Sequence, residues 1–351
     1  MLSLVPGWLL TILLLGALIL IHELGHFLVA RLTGVKVEEF GFGYPPRLLT
    51  LFERGGTRFT INAIPFGGFV RPAGEDDPGI AGGLASASKR VRAAVLLAGV
   101  GANLLTALIV FTIGFKIGWP DRVVIRSVVP EAPAATVGLE TGDLVLTVNG
   151  RQVHQSADLA DATYQHLGQP LVLVIERGQE QLSFEVTPRI AWPEGQGPMG
   201  IEMQAQVVGT YTWFQSAGRS VQTIGEQAGL LLTLPARLIQ GSISASEARP
   251  IGIVGLYDLT SRTIETAQKT SQWVILVQWM GLISTALALG NLLPIPALDG
   301  GRLMFVLLEA VRGRRISPDR ERAVHALGFV MLLGLMIYIS YLDLVRPVIP
   351  R

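Results

Sequence analysis

The stretch Leu18–Leu32, LILIHELGHFLVARL, places His22, Glu23 and His26 inside an otherwise apolar run. That run, residues 2–30, exceeds the ~20 residues needed to cross a bilayer core. Ionisable side chains are costly at membrane depth and are found there when they pair or carry a function. His22 and His26 are four apart, so one helical face presents both imidazoles. Three such groups need a partner that makes them favourable in an apolar setting, and a bound cation is one.

The rest of the chain agrees with a membrane setting. It has 351 residues, half of them hydrophobic and only 16% charged, which is too apolar for an ordinary soluble protein. A net charge of +1 gives no footprint for nucleic acid. The absence of cysteine excludes disulfides, thiolate metal sites and cysteine nucleophiles. Residues 91–117, 273–293 and 324–345 also reach spanning length, so about four transmembrane helices are expected. The first apolar run has no basic start and is too long for a signal peptide, so it reads as a retained helix.

Lys and Arg near the helix ends set the expected orientation. No basic residue precedes Arg31. Arg31, Lys36, Arg47, Arg54, Arg58, Arg71, Lys89, Arg90 and Arg92 follow it, and Arg302, Arg312, Arg314, Arg315, Arg320 and Arg322 lie between the third and fourth runs. Both segments read as cytoplasmic, and the region between the second and third runs as extracytoplasmic. His22–His26 would then lie toward the cytoplasmic side of the membrane.

Four segments follow: 1–118, a first membrane pair; 119–204, a β-rich domain; 205–271, an amphipathic connector; and 272–351, a second membrane pair. The β-rich domain shows Gly142-Asp143 before a strand and Asn149-Gly150 after it, then a second hairpin around Gly178. The order Pro133-Ala134-Ala135, Gly138-Leu139, Gly142-Asp143, Asn149-Gly150 resembles a PDZ domain. Such domains bind an extended peptide or chain end by strand addition. A plain spacer domain is the alternative. Residues 36–72, rich in Gly, Pro and aromatics, read as a small β element at the cytoplasmic face. In the connector, RPIGIVGL from Arg249 interrupts a mostly helical pattern.

Two histidines leave a tetrahedral zinc site short of a protein ligand. His154 and His166 fall in the β-rich domain, and His325 reads as an ordinary helix-start residue. Asp299 in GNLLPIPALDGGRL is the better third ligand, because Pro294 and Pro296 break the helix at the depth of His22 and turn the chain. A mere turn-forming role is the alternative for an Asp before two glycines.

His22-Glu23-x-x-His26, together with Asn291-x-x-Pro294-x-Pro296-x-Leu298-Asp299-Gly300, resembles the site-2 protease family of intramembrane zinc metalloproteases. The single PDZ-like insert places the resemblance with the bacterial regulator-of-sigma-E protease branch. INAIPFGGFV, with Gly67 and Gly68, is similar to that branch's β-loop beside the active site. Two departures stand out. Helix two has Gly99-Val100-Gly101-Ala102-Asn103 where Gly-Pro-x-x-Asn is usual, and Arg249 stands where Gly is usual.

The resemblance implies zinc on His22, His26 and Asp299, and Glu23 as general base. It implies single-span membrane proteins as substrates, of the anti-sigma-factor or signal-peptide-remnant type, in regulated intramembrane proteolysis. Substrate contacts are expected from Asn291, Pro294, Pro296, Asn103, Gly67 and Gly68. For Asn291 and Asn103 a helix-packing role is equally compatible. The rival functions are a non-catalytic PDZ-bearing receptor and a metal transporter. Neither accounts for a single cluster of His22, Glu23, His26 and Asp299 at one depth.

Overall fold

The computed structural model describes residues 7–154, 156–193, 196–207, 211–240, 249–270 and 272–347. Two compact units emerge. One is formed by Met1–Gly114 with Trp213–Arg351, the other by Phe115–Thr212. The second unit is wider at both ends than the expected 119–204.

The first unit is helical. Four of its helices are long and apolar enough to cross a membrane: α1 (Gly7–Leu32), α2 (Lys89–Gly118, whose end enters the second unit), α7 (Val274–Leu292) and α9 (Pro318–Val345). Their outward faces are apolar and largely exposed, as with Leu327, Phe329, Val330 and Met331 on α9. Lipid is the solvent that suits such faces, since the helix satisfies its own backbone groups.

Between α1 and α2 the chain forms β1 (Val37–Arg54) and β2 (Thr57–Pro72). Phe40 is paired with both Phe59 and Val70, so segment 37–43 lies between the two ends of β2. The 68–72 end pairs with β1 alone, leaving its outer edge without a further strand among the described residues. Phe27 of α1 fastens this element to the bundle, with ring centroids 5.0 Å from Phe40 and 5.8 Å from Phe59. Buried Ala30, Val35, Val37, Leu84 and Val95 continue that small core.

The second unit contains β3 (Pro120–Val128), α3 (Pro133–Thr136), β4 (Leu144–Val148), β5 (Arg151–Gln152), α4 (Ser156–Gln165), β6 (Leu171–Arg177), β7 (Glu180–Val186) and β8 (Ile201–Val207). The strands order as β7-β6-β4-β3-β8, with β5 on β4. This is a PDZ-like sheet capped by two short helices. The hairpins at Asn149-Gly150 and Gly178 stand where the turn signals put them, with Asn149 at φ +47°, Gly150 at +76° and Gly178 at +68°. β8 was not expected; it starts beyond a Pro/Gly-rich stretch that hides its pattern. Val123, Ile125, Leu159, Leu171, Leu173, Ile175 and Val186 are fully buried, and each contributes about 1.5–3 kcal/mol by leaving water.

Asp143 is a staple in this unit. Its carboxylate is buried, accepts from Arg177 Nε at 2.7 Å and Nη2 at 2.8 Å, and accepts the Glu140 N–H at 2.8 Å. Burial alone would raise its pKa; the Arg177 bonds and the Glu140 amide outweigh burial and hold it below the ordinary carboxylate range.

The connector comprises α5 (Trp213–Ile239) and α6 (Ile253–Thr270), both in the first unit. α6 begins at the RPIGIVG motif. There Asp343 of α9 accepts the N–H groups of Gly252 and Gly255, each at 2.9 Å, and pairs with Arg249 at 2.9 Å. A carboxylate at a helix N-terminus satisfies donors that the helix itself leaves free. The remaining element, α8 (Asp299–Arg312), lies in the basic segment between the third and fourth apolar runs, where the sequence reading marked no helix. It is bound to α2 through the Arg92–Glu309 ion pair at 2.6 Å, and to the segment after β2 through Arg302 with Glu75 and Asp76, both at 3.1 Å.

Candidate metal centre

His22, Glu23 and His26 share one turn of α1, and both imidazoles are buried. α7 ends at Leu292, Pro294 and Pro296 prevent its continuation, and Asp299 opens α8 with its side chain turned to the histidines. His22 Nε2 lies 2.9 Å from Asp299 Oδ2, His26 Nε2 lies 3.2 Å from the same oxygen, and the two Nε2 atoms are 3.2 Å apart. Among the described residues these three are the group able to hold a metal ion.

The triangle fits a tetrahedral ion. At the usual Zn–N distance, neighbouring ligand atoms stand about 3.3 Å apart. The proton positions agree. His26 Nδ1–H donates to the Val95 carbonyl at 2.7 Å, so its Nε2 faces the centre with a lone pair. His22 Nδ1 lies 3.4 Å from the Asn103 amide, whose Oδ1 is buried with no partner among the described residues. A half-turn of that amide lets His22 Nδ1–H donate to Oδ1 and frees the His22 Nε2 lone pair as well. Two lone pairs and a carboxylate then converge, and a divalent cation satisfies all three.

Neighbouring backbone shapes the pocket. A Cβ at Gly99 of α2 would overlap His26 Nε2 and stand 2.6 Å from His22 Nε2, so only glycine leaves room for the rings. A Cβ at Gly68 would come within 2.9 Å of Glu23 Cγ and of Leu20 Cα, which places β2 directly over the active face of α1. Gly67 packs as closely on Ile19 and holds φ +80°. The centre thus has a helix behind it and a strand edge above it.

The remaining expected site residues divide. Asn103 reaches the centre through His22, and Gly67 and Gly68 line its roof. Asn291 donates Nδ2–H to the Leu287 carbonyl of its own helix at 3.0 Å. Pro294 is exposed and Pro296 half-buried in the turn before Asp299. His325 is corrected: it is no ordinary helix-start residue but is 8% exposed and packed on that turn. Sequence offered little signal for it, because its contacts, with Ala297 and Phe305, lie 20 or more positions away. Gly99 was visible as the first residue of a motif that departs from its usual form at Val100, but its closeness to the imidazoles was not.

Residues 10–335 match the sequence profile of peptidase family M50. The chain belongs to this family. The zinc metalloprotease RasP of Geobacillus kaustophilus is 29% identical over 427 aligned residues, covering 95% of this chain and 96% of that one. A provisionally named zinc metalloprotease of Clostridium perfringens is 31% identical over 339 residues, covering 95% and 97%. The structure of the PDZ domain of an SdrC-like protein from Listeria monocytogenes covers 24% of this chain and 87% of that one, at 24% identity and a TM-score of 0.22. The M50 match spans the His22–His26 helix and the Asp299 turn together, the two motifs on which the sequence resemblance rests.

Proposed function

We propose that the protein is an intramembrane zinc metalloprotease that hydrolyses peptide bonds within or near the transmembrane segments of single-span membrane proteins. The observation that carries this reading is the convergence of His22, His26 and Asp299 beside Glu23 on a membrane-length helix. The names of the M50 relatives support zinc as the ion.

When bound, zinc supplies Lewis acidity toward an attacking water and the scissile carbonyl. His22, His26 and Asp299 would hold it, with the Val95 carbonyl and Asn103 amide fixing the two rings. Glu23 takes a proton from the water as its oxygen bonds to the carbonyl carbon. Glu23 then delivers that proton to the amine nitrogen as the C–N bond breaks. Water is consumed, a carboxylic acid and an amine are released (the acid's proton passing to the amine or to solvent), and no covalent enzyme intermediate is required.

A helical substrate bond is shielded by its own turn, so the substrate must be extended before attack. Freed backbone groups cost several kcal/mol each in lipid. The outer edge at 68–72, which carries no further strand among the described residues and lies over Glu23, offers replacement hydrogen bonds by strand addition. Gly67 and Gly68 let the backbones approach there, and Pro294 and Pro296 border the same turn. In the PDZ-like unit β8 is an edge strand with no further strand beside it among the described residues, which suits an extended peptide or chain end. Positive charge near the helix ends supports a metal centre toward the cytoplasm and an extracytoplasmic PDZ-like unit, and the M50 relatives support a bacterial membrane. An external domain that checks substrates before the intramembrane cut fits regulated proteolysis of anti-sigma factors or clearance of signal-peptide remnants.

The test is cleavage of a model single-span substrate in detergent by wild type and Glu23→Gln at equal zinc content. Cleavage is expected to fall by about 10²–10⁴-fold in the variant. Equal cleavage by both would remove Glu23 from the chemistry.

A further inference from the structure

Ala297, two residues before Asp299, holds φ +80°, in the left-handed region that L-residues seldom adopt. Something outside the turn must keep it there. Its N–H donates to His325 Nδ1 on α9 at 3.0 Å. Three residues along α9, a Cβ at Gly328 would overlap the Pro296 side chain and stand 2.9 Å from its backbone. α9 therefore grips two consecutive residues of the turn, Pro296 by contact and Ala297 by a hydrogen bond. Phe305 of α8 packs on the same imidazole, with ring centroids 5.4 Å apart.

The imidazole is otherwise a poor choice for this place. Because Nδ1 accepts, the ring proton sits on Nε2, which is buried with no partner among the described residues. A buried unpaired donor lowers stability. The acceptor aimed at Ala297 is the feature that explains a histidine here.

We propose that His325 is a positioning residue: it pins Ala297 in its left-handed conformation and so aims Asp299 at His22 and His26. The proposal rests on the metalloprotease reading and adds a residue outside both sequence motifs. α9 then serves the metal centre through this contact as well as spanning the membrane.

The test uses the full-length protein in detergent: wild type, His325→Ala, His325→Asn, and His325→Ala combined with Ala297→Gly. Two quantities are read, zinc affinity by competition with a chromophoric chelator and the visible absorption of the Co²⁺-loaded protein. His325→Ala is expected to lose about tenfold or more in zinc affinity, as for other groups that orient a ligand, and to shift the Co²⁺ bands. His325→Asn keeps an acceptor near the Nδ1 position and should match wild type. Ala297→Gly should recover part of the loss, since glycine takes φ > 0 without steric cost. Wild-type affinity and spectrum in His325→Ala would overturn this inference alone. Should His325→Ala not be recovered folded, a folded His325→Asn with a tenfold loss would overturn it equally. A wild type that takes up neither ion would overturn the metalloprotease reading and this inference with it.

Discussion

Gly99 faces His26 so closely that a single added methyl group would overlap His26 Nε2. The contact joins the second membrane helix to the ligand-bearing face of the first. Gly99→Ala must push the rings aside or part the helices. It is expected to lower zinc affinity by at least about tenfold, the scale of disturbed ligand orientation, and cleavage with it. Chelator competition on the purified variant measures this; wild-type affinity would show that the helices yield without disturbing the ligands.

Asn103 serves His22 rather than the substrate in this geometry. Asn103→Leu should weaken zinc binding by about 10–100-fold while leaving KM for a model substrate little changed at saturating zinc. Steady-state cleavage across a zinc series separates the two effects. Unchanged zinc affinity with a raised KM would return Asn103 to substrate binding.

Asp343 holds the start of α6 with one carboxylate shared among Gly252, Gly255 and Arg249. Asp343→Ala leaves two amides unpaired and leaves Arg249, itself largely buried, with only the Arg346 carbonyl as acceptor, and should cost about 3–5 kcal/mol, the usual penalty for stripping one partner from a buried pair. Arg249→Gly should be milder, because the amides still hold the carboxylate. Thermal unfolding of both variants in detergent tests the ranking, and an equal or reversed order would refute it.

Acid should loosen the PDZ-like unit through Asp143. Its carboxyl is held below the ordinary range in the folded unit, so its contribution is fully present above the unfolded pKa near 4 and is lost as pH falls through the lower folded value. Asp143→Asn should lower the melting temperature at neutral pH by roughly 5 °C and flatten the acid dependence. Thermal melts from pH 7 to pH 3 on wild type and variant supply the check; parallel curves would assign the acid sensitivity elsewhere.

Removal of metal should act on stability as well as turnover. A ligand bound only by the folded state contributes about 2.7 kcal/mol at a hundredfold excess over Kd. A chelator is expected to lower the midpoint of the membrane unit, and added Zn²⁺ to restore both midpoint and cleavage. A midpoint indifferent to chelator would argue against a metal joining α1 to α8.

Much of the protein is decided along the chain. Long apolar runs write membrane helices directly, because a bilayer demands about 20 residues of continuous apolar surface and an internally satisfied backbone. Turn residues fixed the hairpins at Asn149-Gly150 and Gly178, since φ > 0 restricts which residues stand there. The four-residue spacing of His22 and His26 is a property of one helix, and Pro294 and Pro296 end another wherever they occur. The tertiary structure decided what depends on distance in space. It brought Asp299 to His22 and His26 across 277 and 273 positions, made Gly99 obligatory by the closeness of two helices, turned Asp343 into the cap of α6, and placed His325 against Ala297. Those contacts join residues far apart in sequence, and no local periodicity or turn preference records which of them will meet.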